Sequence, residues 1–392
     1  MTLNIPLFKV FMSPDVEKEV PKTLLSGFIT QGPKVDEFER QLSEKLQIPY
    51  ILTLNSATSG LTLALRLLQN ANIEVGWPGI NQETDVVLTT PLTCTATNWP
   101  ILANGMKLQW VDVDKKTCCM SLENLERKIT KLTKVIYVVH WGGSPIDLDA
   151  LDEILERKKL EIGFRPLVIE DCAHAFMTKY NNKYLGSHNN ICVYSLQAIK
   201  HLTSADGGLI TLPSKDLYDR AKLLRWYGID RDKRNYSRKD FRLENDVVEW
   251  GYKFHMNDLN ATIGLCNLQH IDELIMIHKQ NGRRYNTELI GLNKINLLEV
   301  NKKSDSSYWI YTLFVDDAVS FINFMKDRGI SSSQVHKRND VHTCVSDFVC
   351  ELPNLTEIEN HYVCIPVGWW VTDEQITFII NSIKEYDLSS TL

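Results

Sequence analysis

The chain is predicted to be an α/β protein: a large domain on a mixed, mostly parallel sheet covered on both faces, followed by a small C-terminal α+β domain. Three observations predict it. Between residues 50 and 225, short β-rich runs alternate with stretches of helical periodicity. After about residue 250 that alternation gives way to a different pattern. The length of 392 residues also exceeds what one small core needs and suits two unequal domains. The boundary is placed at 249/250, giving domains 1–249 and 250–392.

In order, the expected strands are 50–54, 85–89, 108–113, 134–140, 167–170, 191–195 and 208–212. Helical stretches at 61–68, 122–129 and 148–155 place apolar residues three to four apart between several of them. Strands that alternate with helices pair in parallel, and ligands then bind at their carboxyl ends. Residues 228–246 are charged and poor in apolar side chains, as in a long exposed excursion. A helical stretch at 257–278 follows, then a strand at 308–315, a helix at 318–328 and a final helix near 372–386.

Composition narrows the function classes. With 43 basic and 49 acidic residues the net charge is −6, which lacks the dense basic surface that phosphate backbones require. The one basic run, Arg231 to Arg238, is interrupted by Asp232 and reads as a solvated loop. No apolar stretch approaches the roughly 20 residues that span a bilayer. The first residues also lack the basic and apolar regions of a signal peptide. Nine cysteines, an odd number without a Cys-x-x-Cys pair, read as reduced thiols of a cytoplasmic protein. His336, His342, Cys344 and Cys350 fit no common zinc spacing, so no metal is expected.

Four segments carry groups that a phosphorylated aromatic cofactor would need. Asn55-Ser56-Ala57-Thr58 lies between a strand and a helix, where first-turn amides and the helix dipole suit a phosphate; simple helix capping is the alternative. The strand ending in Glu170-Asp171, before Cys172-Ala173-His174, offers a carboxylate that could hold a protonated pyridine nitrogen, or could merely cap or face solvent. Ser195 ends a strand five residues before Lys200, and Gly207-Gly208 follows; a lysine among apolar neighbours has an amine available for imine formation. Pro91 to Thr97 follows a strand, opens a helix and could cover one face of a ring.

In order and spacing these segments resemble the DegT/DnrJ/EryC1/StrS family of pyridoxal-phosphate-dependent nucleotide-sugar aminotransferases, over nearly the whole chain. Gly27 to Gly32 with Val35, Phe38 and Glu39 is similar to the family's opening motif. Asn55 to Thr58 resembles its phosphate turn, and Pro91 to Thr97 its Pro-x-x-Thr-aromatic-x-Ala-Thr motif. Glu170 to His174 and Val193 to Gly208 resemble the carboxylate and lysine motifs. Trp250 to Asp258 resembles the segment that reaches a neighbouring subunit, and Val335-His336 and Ile365-Pro366 match C-terminal marks.

The resemblance implies the aspartate-aminotransferase-type fold (fold type I) and a homodimer with shared active sites. It implies pyridoxal 5'-phosphate on Lys200 as a Schiff base, Asp171 at the pyridine nitrogen, and Ala57, Thr58 and Ser195 on the phosphate. His174 would lie by the phenolic oxygen. Cys94 stands where the family has an aromatic residue, and Lys253 where it has asparagine; a lysine could serve the phosphate as a point charge. Thr30, His336 and Arg338 are the candidate substrate contacts. The implied substrates are L-glutamate and a nucleotide-linked keto-6-deoxy sugar, with the 4-keto form ranked ahead of the 3-keto form, for surface-polysaccharide precursors. Two rival readings are a sugar-nucleotide dehydratase, whose relatives carry histidine in place of the lysine, and a non-catalytic relative.

Overall fold

All seven expected runs become strands of one sheet. The computed structural model describes residues 4–232 and 246–389. The strands are β1 (Ile51–Leu54), β2 (Val86–Thr89), β3 (Lys107–Trp110), β4 (Thr133–Val139), β5 (Leu167–Asp171), β6 (Ile191–Ser195) and β7 (Gly208–Thr211). They are ordered β1-β7-β6-β5-β4-β2-β3. Pairing is parallel from β6 through β5, β4 and β2 to β3. Only β7 runs against its neighbours, β1 and β6. Every residue of β1, β4, β6 and β7 is buried, as a sheet covered on both faces requires.

Helices supply the crossovers: α3 (Ala57–Leu67), α4 (Thr95–Ala103), α5 (Leu122–Lys128), α6 (Leu148–Ile162) and α7 (Lys215–Leu224), after the N-terminal α1 (Val16–Leu25) and α2 (Pro33–Leu46). The α3 helix is buried on almost every side. Gly60 lets it approach the sheet, since a Cβ there would lie 2.7 Å from Val193. That contact fixes where the N-terminus of α3 points.

The expected helix at 257–278 is two helices, α8 (Asp258–Leu268) and α9 (Ile271–Glu288), separated at Gln269-His270. The expected boundary at 249/250 also differs from where the cores divide. Met256, Ala261, Leu265, Leu268, Ile271 and Ile275 belong to the core of the large sheet, and α8 packs on α1 and α2. The second core gathers Tyr285, Leu313, Phe321, Ile365 and Ile380, with Ile5 from the N-terminal segment. It is built on an antiparallel sheet of β8 (Ile295–Leu297), β9 (Tyr311–Val315) and β10 (Tyr362–Ile365), with α10 (Ala318–Asp327) and α12 (Asp373–Leu388). Sequence pattern misses this because α8 carries apolar residues on more than one face and so gives no amphipathic signal of a new unit.

Of the charged excursion at 228–246, residues 233–245 lie outside the described residues, and with them most of the basic run from Arg231 to Arg238. Arg231 itself sits over the Trp226 ring and donates to the Gln31 carbonyl. Among the described residues no helix is long and apolar enough to cross a membrane.

Candidate active site

Three chain turns converge at the carboxyl ends of β1, β5 and β6. The first is the start of α3. Ser56 caps it by accepting from the Ser59 amide at 3.1 Å, so the amides of Ala57 and Thr58, in the first turn, have no intrahelical acceptor. Gly208 lies against this turn: a Cβ there would fall 2.5 Å from the Ala57 nitrogen. Its partner across β6–β7 is Ser195, whose hydroxyl oxygen accepts from the Gln197 amide at 3.3 Å and keeps its proton free to donate. The Thr58 side chain is exposed beside them. Amides, two hydroxyls and a glycine-sized gap form a cradle for a small anion.

The second turn follows β5. Asp171 is buried; its carboxylate accepts from the Thr97 hydroxyl at 2.7 Å and the Ala173 amide at 2.9 Å. Thr93 bonds Thr97 in turn. Burial pushes the Asp171 carboxyl up, against the pull of these donors and of Lys200. Its charge is therefore under-compensated, and a cation against it would be stabilised. On the opposite side of the strand, Glu170 and His140 are fully buried and 2.8 Å apart. Burial pushes Glu170 up, but hydrogen bonds from His140 and from Asn190 outweigh it and hold the carboxyl below its usual range. With Cys172 they form the one cluster of metal-ligating types among the described residues, and the bonds just described already engage its acid and imidazole.

The third turn follows β6. Lys200 is half-buried, with Nζ 3.5 Å from the centroid of the Trp309 ring. Burial pulls its pKa from 10.5 down to about 8, with Asp171 and Cys94 pulling the other way. His174 stacks on the same indole, centroids 3.9 Å apart and planes 16° from parallel. Burial holds the His174 imidazole well below its ordinary range, with the charge of Lys200 adding to it. Its buried Nδ1 has no hydrogen-bond partner among the described residues. His336 lies parallel to it at 5.7 Å, and burial draws its pKa down to about 4.

These features together fit a phosphorylated pyridine aldehyde: an anion cradle, a buried carboxylate short of a cation, an amine that ionises near 8, and an orphaned imidazole nitrogen. The remaining expected residues stand as follows. Cys94 is half-buried at the start of α4 and makes no cap bond. Lys253 is exposed; the backbone beside it is tied into its own chain, since the Asn55 amide donates to the Phe254 carbonyl at 2.7 Å. Thr30 is exposed and its carbonyl accepts from the Asp258 amide. Arg338 does not point free into the site: it is bidentate to Asp340 at 2.8 Å and bonds Glu359 at 2.6 Å.

Sequence reasoning missed Trp309 and Asn339. Asn339 donates to the Thr93 carbonyl and accepts from Asn98, which ties the chain after residue 330 to the loop that carries Cys94 and Thr97. Neither residue belongs to a segment whose spacing signals chemistry. The clue available was only a tryptophan in an apolar run.

Comparison with known proteins accounts for this arrangement. Residues 12–384 match the DegT/DnrJ/EryC1/StrS aminotransferase family. The structure superposes on the sugar aminotransferase CalS13 from Micromonospora echinospora with a TM-score of 0.90 and 42% identity, covering 97% of this chain and 99% of that one. It superposes on Spr1654 from Streptococcus pneumoniae in its PLP form with a TM-score of 0.84 and 28% identity, covering 98% and 100%. The GDP-perosamine synthase of Escherichia coli O157:H7 is 28% identical over 97% of this chain and 98% of its own length. The chain belongs to the DegT/DnrJ/EryC1/StrS aminotransferase family, has the fold type I architecture, and is a transferase that depends on pyridoxal phosphate.

Proposed function

We propose that this aminotransferase moves an amino group from L-glutamate to a nucleotide-linked keto-6-deoxy sugar, the 4-keto sugar ahead of the 3-keto one. The observation that carries the reading is the convergence of Lys200, its Nζ 3.5 Å from the Trp309 centroid, with the buried Asp171 carboxylate and the glycine-sized cradle at the start of α3. The names of CalS13 and GDP-perosamine synthase support a sugar-nucleotide acceptor. Synthesis of surface-polysaccharide precursors follows from that substrate class.

Bound in the cradle, pyridoxal phosphate supplies an aldehyde that carries the amino group and an electron-withdrawing ring. Each role below belongs to a residue of the chain. The amides of Ala57 and Thr58 with the hydroxyls of Thr58 and Ser195 hold the phosphate, and Gly208 leaves room for it. Asp171 keeps the ring nitrogen protonated, and Thr97 orients that carboxylate. Lys200 would hold the cofactor at rest, and its neutral amine, once released, would take the proton from the donor carbon of glutamate and carry it as an ammonium. The same proton path in reverse serves the keto sugar. His174, neutral at working pH, donates to or accepts from the phenolic oxygen, and Cys94 packs against the ring.

His336 and Thr30 are assigned to the acceptor, because His336 carries a buried Nε2 without a partner and Thr30 is exposed. Two copies of the chain are expected to share sites, with Lys253 of each reaching the phosphate held by the other. Exposed Phe28, Ile29 and Trp250 support such a face. Retention of Lys200 favours transfer over dehydration.

The test is to incubate the purified protein with glutamate and a panel of 3-keto and 4-keto sugar nucleotides, following 2-oxoglutarate release and product structure by NMR. An aminated 4-position with stoichiometric 2-oxoglutarate is expected. Loss of water from the sugar without amination would instead make the protein a lyase.

A further inference from the structure

Trp309 is held by a hydrogen bond and by stacked rings at the site, and none of the roles above uses it. Its indole N–H donates to the Ile199 carbonyl at 2.9 Å, one residue before Lys200. Its own amide donates to the Gly142 carbonyl at 2.8 Å. The two carbonyls preceding it are clamped by imidazoles: His201 Nε2 lies 3.0 Å from the Ser307 oxygen, and His278 Nδ1 lies 2.7 Å from the Tyr308 oxygen. Thr178 bonds both the hydroxyl and the amide of Ser307. Glycine is required at Gly143 for this fit, since a Cβ there would meet the Tyr308 nitrogen at 2.9 Å. Phe8 and His174 both stack on the ring. A slab so fixed, with an amine 3.5 Å from its centroid, is built to receive a cation.

We propose that Trp309 is a positioning residue: its π-face is the seat that holds the Nζ of Lys200 as an ammonium whenever the lysine is not joined to the cofactor. The inference rests on the assignment of Lys200 above. During transfer the lysine leaves as a neutral amine, takes the proton from the substrate carbon, and so becomes charged in a site where burial penalises charge. Of the groups around it, Asp171 and the Cys94 thiol favour that charge, while His174, His336 and His201 are neutral imidazoles that a nearby ammonium disfavours from protonating. Asp171 is committed to the ring nitrogen. The indole face therefore supplies stabilisation of the ammonium that no carboxylate is free to give.

The experiment measures cofactor capture by the apo-protein as a function of pH, read as growth of the visible band of lysine-bound pyridoxal phosphate. Only the neutral amine reacts, so the acid limb reports Lys200. Trp309→Leu keeps an apolar wall without a π-face, and its limb is expected to move to lower pH by about half a unit to one unit. Trp309→Phe should move it less. A limb that stays put, or moves upward because water now reaches the amine, would overturn the proposal. Should Trp309→Leu fail to fold, Trp309→Phe is compared with pentafluorophenylalanine placed at 309 by stop-codon suppression, which keeps the shape and reverses the ring quadrupole. A lower limb for the fluorinated ring is expected, and equal limbs refute the seat. If wild-type protein forms no such band, it is the assignment of Lys200 that fails.

Discussion

The floor and the wall of the site are made in different ways. The floor comes from strand ends and one helix start between Asn55 and Gly208: Ser195 and Asp171 at the tips of β6 and β5, Lys200 just beyond, the first amides of α3. Its side chains are polar and act on whatever binds. The wall comes from the chain after residue 300, through Trp309, His336 and Asn339, and acts by ring faces and by bonds that brace the floor. The floor thus carries the chemistry and the wall sets where its charges can rest. Removing a floor residue should cost rate outright; altering the wall should shift pH dependence or stability instead.

The sharpest break is expected at Lys200. Lys200→Ala should lower amino transfer by about 10⁴-fold while leaving the melting temperature near that of the apo wild type, as single-turnover kinetics and calorimetry would show. Asp171→Asn keeps the bond from Thr97 but loses the charge, and a loss on the order of 10² in the rate of the glutamate half-reaction is expected. A wild-type rate for that variant would remove the ring-nitrogen role.

Gly208→Ala crowds the anion cradle, because its Cβ would press on the Ala57 nitrogen and the Ser56 carbonyl. It should destabilise the apo-protein by about 1–3 kcal/mol and weaken cofactor capture by about tenfold, measured by melting and by titration with pyridoxal phosphate. The pH profile follows in size. Lys200 is neutral above its pKa of about 8, and proton removal needs the neutral amine. The rate should therefore fall as pH drops below about 8 and level off above it. The smallest effect on catalysis is expected at Arg338. Its guanidinium is engaged by Asp340 and Glu359, so Arg338→Leu should cost about 1–3 kcal/mol of stability and leave KM for the sugar nucleotide within about twofold. A tenfold rise in KM would instead make it a substrate contact.

The same contrast explains what could be read in advance. The seven strands of the sheet were legible because β-branched runs alternate with helical ones, and the floor was legible because its residues lie in short ordered segments with a chemical reason for each type. Trp309 was not, because its importance comes from contacts far along the chain: Ile199, Gly142 and His174 lie from 110 to 167 residues away. The setting of Arg338 was hidden for a related reason. A guanidinium between His336 and Asp340 suits a diphosphate in sequence, but folding brings Glu359 against it from the end of α11 (Pro353–Ile358). The cores divide later than the pattern suggests, because α8 carries apolar residues on more than one face and packs on α1 and α2.

The central claim is that Lys200 carries the cofactor and exchanges it for the amino group of glutamate. It is tested most directly by reducing the purified holoenzyme with borohydride, before and after L-glutamate, and mapping the phosphopyridoxyl label by peptide mass spectrometry. The account predicts a label on Lys200 that disappears when glutamate is added first. A label on another lysine, or one on Lys200 that glutamate does not remove, would contradict it.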